Sequence, residues 1–185
     1  MSPLTIAIRQ LASRDADACD AVVASLPYHF GIEEGRRECA AAVRSQRGLV
    51  ADDGGQVAGF LTVETRFDEC LEVTWMAVHA GRRRRGVGRM LMDRLATDAR
   101  SEGRRYLLVL TVSPTDGPDE IPDGYQATRA FYRANDFVLA RDFPGYWDSD
   151  TPVLMVRALV DTSAVAPRVD GAPDLGAPTQ LNIDG

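Results

Sequence analysis

The sequence contains no lysine, only three cysteines and only two histidines, and each scarcity excludes a class of site. A nucleotide-binding P-loop ends in Gly-Lys-Ser or Gly-Lys-Thr, so a chain without lysine cannot carry one. Cys19, Cys39 and Cys70 are odd in number and widely spaced. Together with His29 and His79 they match no metal-ligand spacing. We therefore expect buried or half-buried free thiols and no metal.

Long apolar runs are also absent, and acidic residues outnumber basic ones. No apolar segment approaches the length of a membrane span, and the N-terminus lacks the basic, apolar, small-residue order of a signal peptide. We therefore expect a cytoplasmic protein with no membrane partner. The net charge of −6 argues against nucleic acid as the main partner and favours cationic substrates. Because all 21 basic residues are arginine, we infer codon bias in a GC-rich, bacterial genome.

The length of 185 residues fits one domain with a substantial core. Apolar periodicity predicts the order β-α-α-β-β-β-α-β-α-β-β, an α/β chain of the α+β type with a mixed sheet. From Asp161 onward Pro, Gly, Ala and Asp dominate without periodicity. We therefore expect a domain over residues 1–160 and a flexible, dispensable tail over 161–185. The predicted strands cover residues 4–8, 48–51, 56–64, 71–78, 106–112, 137–143 and 152–159, and the predicted helices cover 16–25, a stretch ending near 44, 87–103 and 125–135.

The strand at 71–78, the helix at 87–103 and the strand at 106–112 form one unit. The last of these is the most apolar strand pattern in the chain and follows the helix after a short turn. A strand–helix–strand unit of this length makes a right-handed crossover between parallel strands. We therefore predict that these two strands are parallel neighbours in the sheet.

Between the first strand of that unit and its helix, the chain reads Val78-His-Ala-Gly-Arg-Arg-Arg-Arg-Gly-Val-Gly88. Gly86 and Gly88 let the backbone come close to a ligand, and the first helical turn offers unpaired N–H groups and a positive dipole end. The arginines add positive charge. A dinucleotide fingerprint is excluded because Leu91 stands where its third glycine would be. The stretch therefore predicts a pyrophosphate site.

The segment Arg83-Arg-Arg-Gly86-Val-Gly88 resembles motif A, Arg/Gln-x-x-Gly-x-Gly/Ala, of the GNAT superfamily of acyl-CoA-dependent N-acyltransferases. The order of elements over residues 4–159 is similar to the GNAT fold. The resemblance implies a single domain whose mixed, mostly antiparallel sheet has a central parallel strand pair and is flanked by helices. It also implies acetyl-CoA as co-substrate and no metal. By this resemblance the pyrophosphate is held by Arg83, Arg84, Arg85, Gly86, Val87, Gly88 and Arg89.

Further cofactor contacts follow from the same resemblance. The strand end Met76, Ala77 and Val78 is expected to give main-chain contacts to the pantetheine arm and thioester, where adjacent strands separate. Arg89 has an alternative role, contact with the 3′-phosphate. Asn135, in the last turn of the C-terminal helix, either hydrogen-bonds the pantetheine or caps its helix.

The segment Thr128–Phe137 resembles the C-terminal helix of the superfamily, Ala-x-x-Phe/Leu-Tyr-x-x-x-Gly-Phe. The resemblance implies that Tyr132 is the general acid that protonates the leaving thiolate. A phenol with a pKa of about 10 is matched to a thiolate of about 8.5. A core tyrosine is the alternative. Asp136 replaces the usual glycine, and because aspartate tolerates the left-handed conformation we expect the turn to be kept.

The general base is less clear from the sequence. Strand alternation predicts that Glu72, Thr74, Met76 and Val78 share one face. Glu72 lies six residues before the motif valine, a spacing similar to that of the histone-acetylating branch of the superfamily. That resemblance implies a base that acts directly or through a water. Alternatively, Glu72 holds the ammonium group of the substrate or lies on a solvated face.

The acceptor pocket is expected beside the second helix, which covers it in this superfamily. We predict that an aromatic and acidic wall binds the amine. It is formed by Tyr28, His29, Phe30, Gly31, Glu33 and Glu34. Further candidates are Trp75, Tyr146 and Trp147, and ordinary packing is the alternative for each. The acidic segment Ser113–Gly124 suits a small or a protein acceptor equally.

No segment is diagnostic for one acceptor, so function follows from the cofactor only. The leading hypothesis is acetyl transfer from acetyl-CoA to a primary amine of a small, cationic molecule. Direct attack in a ternary complex is expected, since no cysteine lies in a motif for a covalent intermediate. The alternatives are a protein or peptide amine acetyltransferase and a non-catalytic acyl-CoA-binding regulatory domain. The sequence is compatible with a homodimer. The excess of acidic over basic residues disfavours a nucleic-acid-binding protein.

Overall fold

A computed structural model describes residues 6–30, 32–114, 125–147 and 150–159. The strands are β1 (Ile6–Gln10), β2 (Arg47–Asp53), β3 (Gln56–Phe67), β4 (Cys70–Val78), β5 (Tyr106–Val112), β6 (Val138–Asp142) and β7 (Pro152–Ala158). The helices are α1 (Ala16–Ala24), α2 (Glu33–Ser45), α3 (Val87–Ser101) and α4 (Tyr125–Arg133). All seven strands form one sheet in the order β1-β2-β3-β4-β5-β7-β6.

The predicted order of elements is confirmed, and so is the parallel crossover. β4 and β5 pair in parallel, whereas all other neighbouring strands are antiparallel. The predicted polar link at 66–70 belongs instead to a β3–β4 hairpin, in which Phe67 pairs with Cys70. Backbone pairing extends past the apolar pattern because it does not depend on apolar side chains. The predicted tail at 161–185 lies outside the described residues.

Pairing between β4 and β5 stops before either strand ends. The paired residues run from Cys70 opposite Tyr106 to Val73 opposite Val109. Beyond that point β4 continues to Val78 without a partner on this side. Two central strands that separate in the middle of a sheet leave an opening between them. The predicted separation of strands at this place is therefore seen.

A bulge in β4 changes which side chains share a face. Thr62 pairs with Trp75 and the next residue of β3 pairs with Val73, so Thr74 is an extra residue in β4. Before the bulge Leu71 and Val73 pack against α3, and after it Met76 and Val78 do. The prediction that Glu72 shares a face with these last two is therefore wrong. The bulge places Glu72 on the opposite face, with Trp75.

The sheet has a core on each face. One core lies between the sheet and the helices α3 and α4, and it includes Leu91 and Leu107. The other lies beneath α1 and α2 and includes Cys19 and Cys39, both buried free thiols whose pKa burial raises to about 12. Cys70 is a half-buried free thiol. Among the helices that the structure describes, none is long and apolar enough to cross a membrane.

Candidate active site

A groove of about 850 Å³ opens where β4 and β5 separate. One wall is the end of β4 with the following loop and the start of α3, and the other is α4. Leu26, His29 and Phe30, after α1, close one side. The groove thus joins the segment predicted to hold a pyrophosphate with the helix that carries the predicted general acid.

The start of α3 presents its backbone donors to this groove. Gly86 has φ of 80° and turns the chain into the helix. The N–H of Met90 donates to the Gly86 carbonyl at 3.0 Å, so the N–H groups of Val87, Gly88 and Arg89 have no acceptor within the helix. The first turn contains no acidic side chain. This positive helix end is therefore suited to an anion.

Gly86 and Gly88 are glycines for different reasons. At Gly86 the positive φ favours glycine, and an added Cβ would meet nothing within 4 Å. At Gly88 an added Cβ would lie 3.0 Å from a ring carbon of Phe131 and 3.3 Å from the methyl of Met76. Gly88 thus allows α3 to approach α4 at the base of the groove. Sequence reasoning gave both glycines one reason, close approach to a ligand.

The arginine loop (Arg82–Gly86) differs in charge pairing from residue to residue. Arg82 forms an ion pair with Asp53 at 2.7 Å. Arg83 and Arg84 line the groove, whereas Arg85 is exposed and lies outside its walls. Within the described ranges none of these last three forms an ion pair. Arg89 faces Asp93 at 3.7 Å, and both are well exposed, so that pair is weak.

Tyr132 lies in the groove wall, on α4, and is 6% exposed. Its ring makes edge contacts with Phe131 and Phe137, at centroid distances of 5.3 and 5.4 Å. Burial raises the pKa of Tyr132 above its usual value, so the phenol stays protonated at neutral pH. None of the residues described by the structure hydrogen-bonds its hydroxyl. This hydroxyl is a proton donor with no competing acceptor among them.

The turn after α4 is kept despite the missing glycine. Asp136 adopts φ of 65°, and the N–H of Phe137 donates to the Tyr132 carbonyl at 3.1 Å. This confirms the expectation that aspartate tolerates the left-handed position. The amide of Asn135 donates to the Phe131 carbonyl at 2.8 Å, so Asn135 caps the end of α4 and also lines the groove.

Glu72 lies outside the groove walls and belongs to a carboxylate cluster (Glu64, Arg66 and Glu72). The two glutamates are opposite each other across β3 and β4. Arg66 joins them, through Nε to Glu72 and through Nη1 to Glu64 at 3.0 Å. The hydrogen bond to Glu72 raises the pKa of Arg66. Sequence reasoning missed Arg66; its signal was the period-two spacing from Glu64, which puts both on one face of a strand.

The predicted acceptor wall is assembled only in part. Phe30 lines the groove and contacts the ring of Trp75 at a centroid distance of 6.0 Å. Tyr28 is 81% exposed, and neither it nor the exposed Glu33 and Glu34 line the groove. Gly31 and most of the acidic segment at 113–124 lie outside the described residues.

Two further candidates lie in the connection between β6 and β7. Tyr146 is exposed and close enough to Arg66 to act on its pKa, and Trp147 is also exposed. Among the described residues there is no cluster of three side chains able to hold a metal ion. The one aromatic residue that sequence reasoning overlooked in the groove is Phe131, which directly precedes Tyr132.

A sheet that separates at its centre beside a helix end suited to an anion is the arrangement that the resemblance to the GNAT superfamily predicts. A family model for the acetyltransferase (GNAT) domain matches residues 44–139, more than half of the chain. The chain belongs to the GNAT acetyltransferases, which are acyl-CoA-dependent enzymes. A search of curated proteins finds no match.

Solved structures show the same fold. A GNAT-family protein from Desulfovibrio desulfuricans gives a TM-score of 0.70 at 22% identity, over 84% of this chain and 100% of that one. The ribosomal-protein-S18-alanine N-acetyltransferase from Escherichia coli gives 0.66 at 16% identity, over 88% and 99%. An aminoglycoside 6′-N-acetyltransferase complexed with coenzyme A gives 0.63 at 16% identity, over 84% and 98%. At these identities the likeness concerns the fold.

Proposed function

We propose that this enzyme transfers the acetyl group of acetyl-CoA to a primary amine of a small, cationic molecule by direct attack in a ternary complex. The observation that carries the proposal is one groove that holds an open helix end, the buried Tyr132, and two arginines without an ion pair among the described residues. The arginines Arg83 and Arg84, with the N–H groups of Val87 to Arg89, bind the pyrophosphate. Main-chain groups of Met76 and Val78 hold the pantetheine and thioester.

Tyr132 is the general acid in this proposal. The amine nitrogen bonds to the acyl carbon and gives up a proton to water, the carbon–sulfur bond breaks, and the phenol gives its proton to the leaving sulfur. The proton released by the amine then restores the phenol. Burial disfavours the anion of the phenol and that of the thiol alike. The proton transfer therefore stays closely matched even though the pKa of Tyr132 is raised.

Glu72 is proposed to act at a distance. It lies four residues before Met76 on β4, and at roughly 3.3 Å per residue this corresponds to about 13 Å. A carboxylate so placed reaches the reacting amine through water, or binds a second cationic group of the acceptor. The Glu64–Arg66–Glu72 cluster carries a net negative charge, which supports a cationic acceptor.

A protein or peptide amine is the second candidate acceptor. The exposure of Tyr28 and Tyr146 favours it, because exposed aromatic side chains suit an extended partner. The position of Tyr132 in the groove wall speaks against a purely regulatory acyl-CoA-binding domain. A cytoplasmic location, a bacterial source, independence from metal and an optional homodimer belong to the same proposal and are supported by the sequence alone.

Calorimetric titration with acetyl-CoA, followed by a thiol-release assay, tests the proposal. The amine panel contains polyamines, aminoglycosides, amino acids and short peptides. Binding together with release that depends on a small cationic amine is the expected result. Release only with peptides would replace the acceptor by the second candidate. Binding without release by any amine would favour the regulatory alternative, and absence of binding would overturn the cofactor assignment.

A further inference from the structure

The loop between β4 and α3 is anchored at its start by contacts from other parts of the fold. The N–H of His79 donates to the Ala58 carbonyl at 2.9 Å, and that of Ala80 to Ser25 Oγ at 3.0 Å. The N–H of Gly81 donates to His79 Nδ1 at 3.1 Å. Three successive N–H groups are thus satisfied immediately before the arginine loop. The backbone that precedes the groove is therefore held in one conformation.

The anchor on β3 depends on a second bulge. Ala51 pairs with Gly59 and Asp52 with Val57, so Ala58 is an extra residue in β3. Its carbonyl accepts the hydrogen bond from His79. An added Cβ at Gly59 would lie 2.8 Å from the Ala77 carbonyl, so the backbones of β3 and β4 approach closely here. The end of the β2–β3 hairpin thus supports the arginine loop directly.

Arg82 is anchored through its own side chain. It lines the groove, and its Nη2 lies 2.7 Å from Oδ2 of Asp53, the last residue of β2. The side chains are 31% and 14% exposed. A flexible arginine fixed in this way does not lose its freedom again when an anion binds. The partner carboxylate, in contrast, lowers the positive potential of the groove. The two effects on an anionic ligand have opposite signs.

We infer that Asp53 is a positioning residue for cofactor binding, which holds Arg82 in place in the groove wall. The inference rests on the proposed use of acetyl-CoA. Fixing one long side chain in advance favours binding, and the inference requires that this gain exceed the loss of positive potential. Asp53 touches neither the groove nor the reacting atoms and acts through Arg82 alone.

The test is calorimetric titration of acetyl-CoA into the wild type, Asp53→Asn and Asp93→Asn. Asp93 is an exposed acid beside Arg89, so its replacement removes the same charge without touching the Arg82 anchor. We expect Asp53→Asn to weaken binding about two- to tenfold, whereas Asp93→Asn leaves it unchanged or slightly tighter. Equal or tighter binding by Asp53→Asn would overturn the inference. A wild type that does not bind acetyl-CoA would instead contradict the proposed function.

A double-mutant cycle supplies the second measurement. Arg82→Gln removes the residue through which Asp53 is inferred to act, so adding Asp53→Asn to it should change the affinity less than twofold. A full additional loss in the double variant would mean that Asp53 acts by another route. Thermal unfolding without cofactor checks that each variant is folded. If Asp53→Asn does not fold, Asp53→Ser is measured in the same way.

Discussion

The proposed cofactor end and the proposed acceptor end of this protein use charge in different ways. At the arginine loop, Arg83 and Arg84 face the groove without acidic partners among the described residues. In the carboxylate cluster, by contrast, Arg66 lies between Glu64 and Glu72, and each charge has an opposite neighbour. A site whose charged side chains have no opposite partner can bind a charged ligand directly. In a site with internal ion pairs, the ligand must first replace one of the existing partners. The comparison therefore predicts strong effects of single substitutions at the first site and graded effects at the second.

The largest effect is expected between the two ends, at Tyr132. Tyr132→Phe removes the proton donor and should lower kcat by about 10²-fold or more. The affinity for acetyl-CoA should stay within about twofold, because the ring and its contacts remain. Steady-state kinetics and calorimetry give both numbers. Tyr125→Phe, on the same helix and outside the groove walls, is the matched control. An unchanged kcat in Tyr132→Phe would show that Tyr132 is not the general acid.

At the proposed cofactor end, Arg83→Gln and Arg85→Gln remove the same charge from two residues separated only by Arg84. Arg83 lines the groove and Arg85 does not, so we expect the dissociation constant for acetyl-CoA to rise about tenfold in the first variant. In the second it should rise less than about twofold, since an exposed charge acts only through screened potential. Titrations at two salt concentrations separate direct contact with the cofactor from the screened long-range potential. Equal losses would show that the loop binds by total charge and not by position.

At the acceptor end, Glu72→Gln should raise the KM of a dicationic amine by about three- to tenfold and leave acetyl-CoA affinity unchanged. The physical reason is the loss of one of the two carboxylates that are proposed to bind the acceptor. Steady-state kinetics with a diamine and a monoamine gives the comparison. Glu34→Gln removes an exposed acid outside the groove and serves as the control. A KM that stays constant for both amines would leave Glu72 as a structural partner of Arg66.

The smallest expected effect concerns the free energy of unfolding. It involves Cys19, which is buried in the core beneath α1 and α2. Burial raises its pKa to about 12, above the usual thiol value. The folded protein therefore keeps a proton that the unfolded chain loses above about pH 8.5, and stability should fall as pH rises through the range from about 9 to 12. Urea unfolding at pH 8 and pH 10 measures the fall, which should be shallower in Cys19→Ala. An equal slope in both proteins would remove the thiol as its cause.

Much of the fold could be predicted because strand and helix patterns are local properties of the chain. Alternation and helical spacing locate the seven strands and four helices, and the strand–helix–strand unit at 71–112 requires a parallel pair. The predicted face of Glu72 was wrong for a physical reason. A bulge adds one residue to a strand without any mark in the residue types, and Thr74 is an ordinary residue for a strand.

The same limit applies to side-chain partners. The glycine pattern at 86–88 predicts an open helix start, but the contact between Gly88 and Phe131 joins residues 43 positions apart in the chain. The pairing of Arg82 with Asp53 has no local signal either. The four successive arginines look equivalent in the sequence. In the structure one is paired with Asp53, two line the groove without an ion pair to the described residues, and one lies outside the groove walls.

The sequence by itself determined the order of the elements and the place of a helix start suited to an anion, because glycine, arginine and apolar spacing act locally. The class of enzyme followed from the resemblance of its motifs to the GNAT superfamily. Only the tertiary structure decided which arginines face the groove, which face of β4 carries Glu72 and which acid neutralises Arg82. Those properties depend on strand register, bulges and contacts between distant segments. Such contacts form when the sheet assembles, and no single segment encodes them.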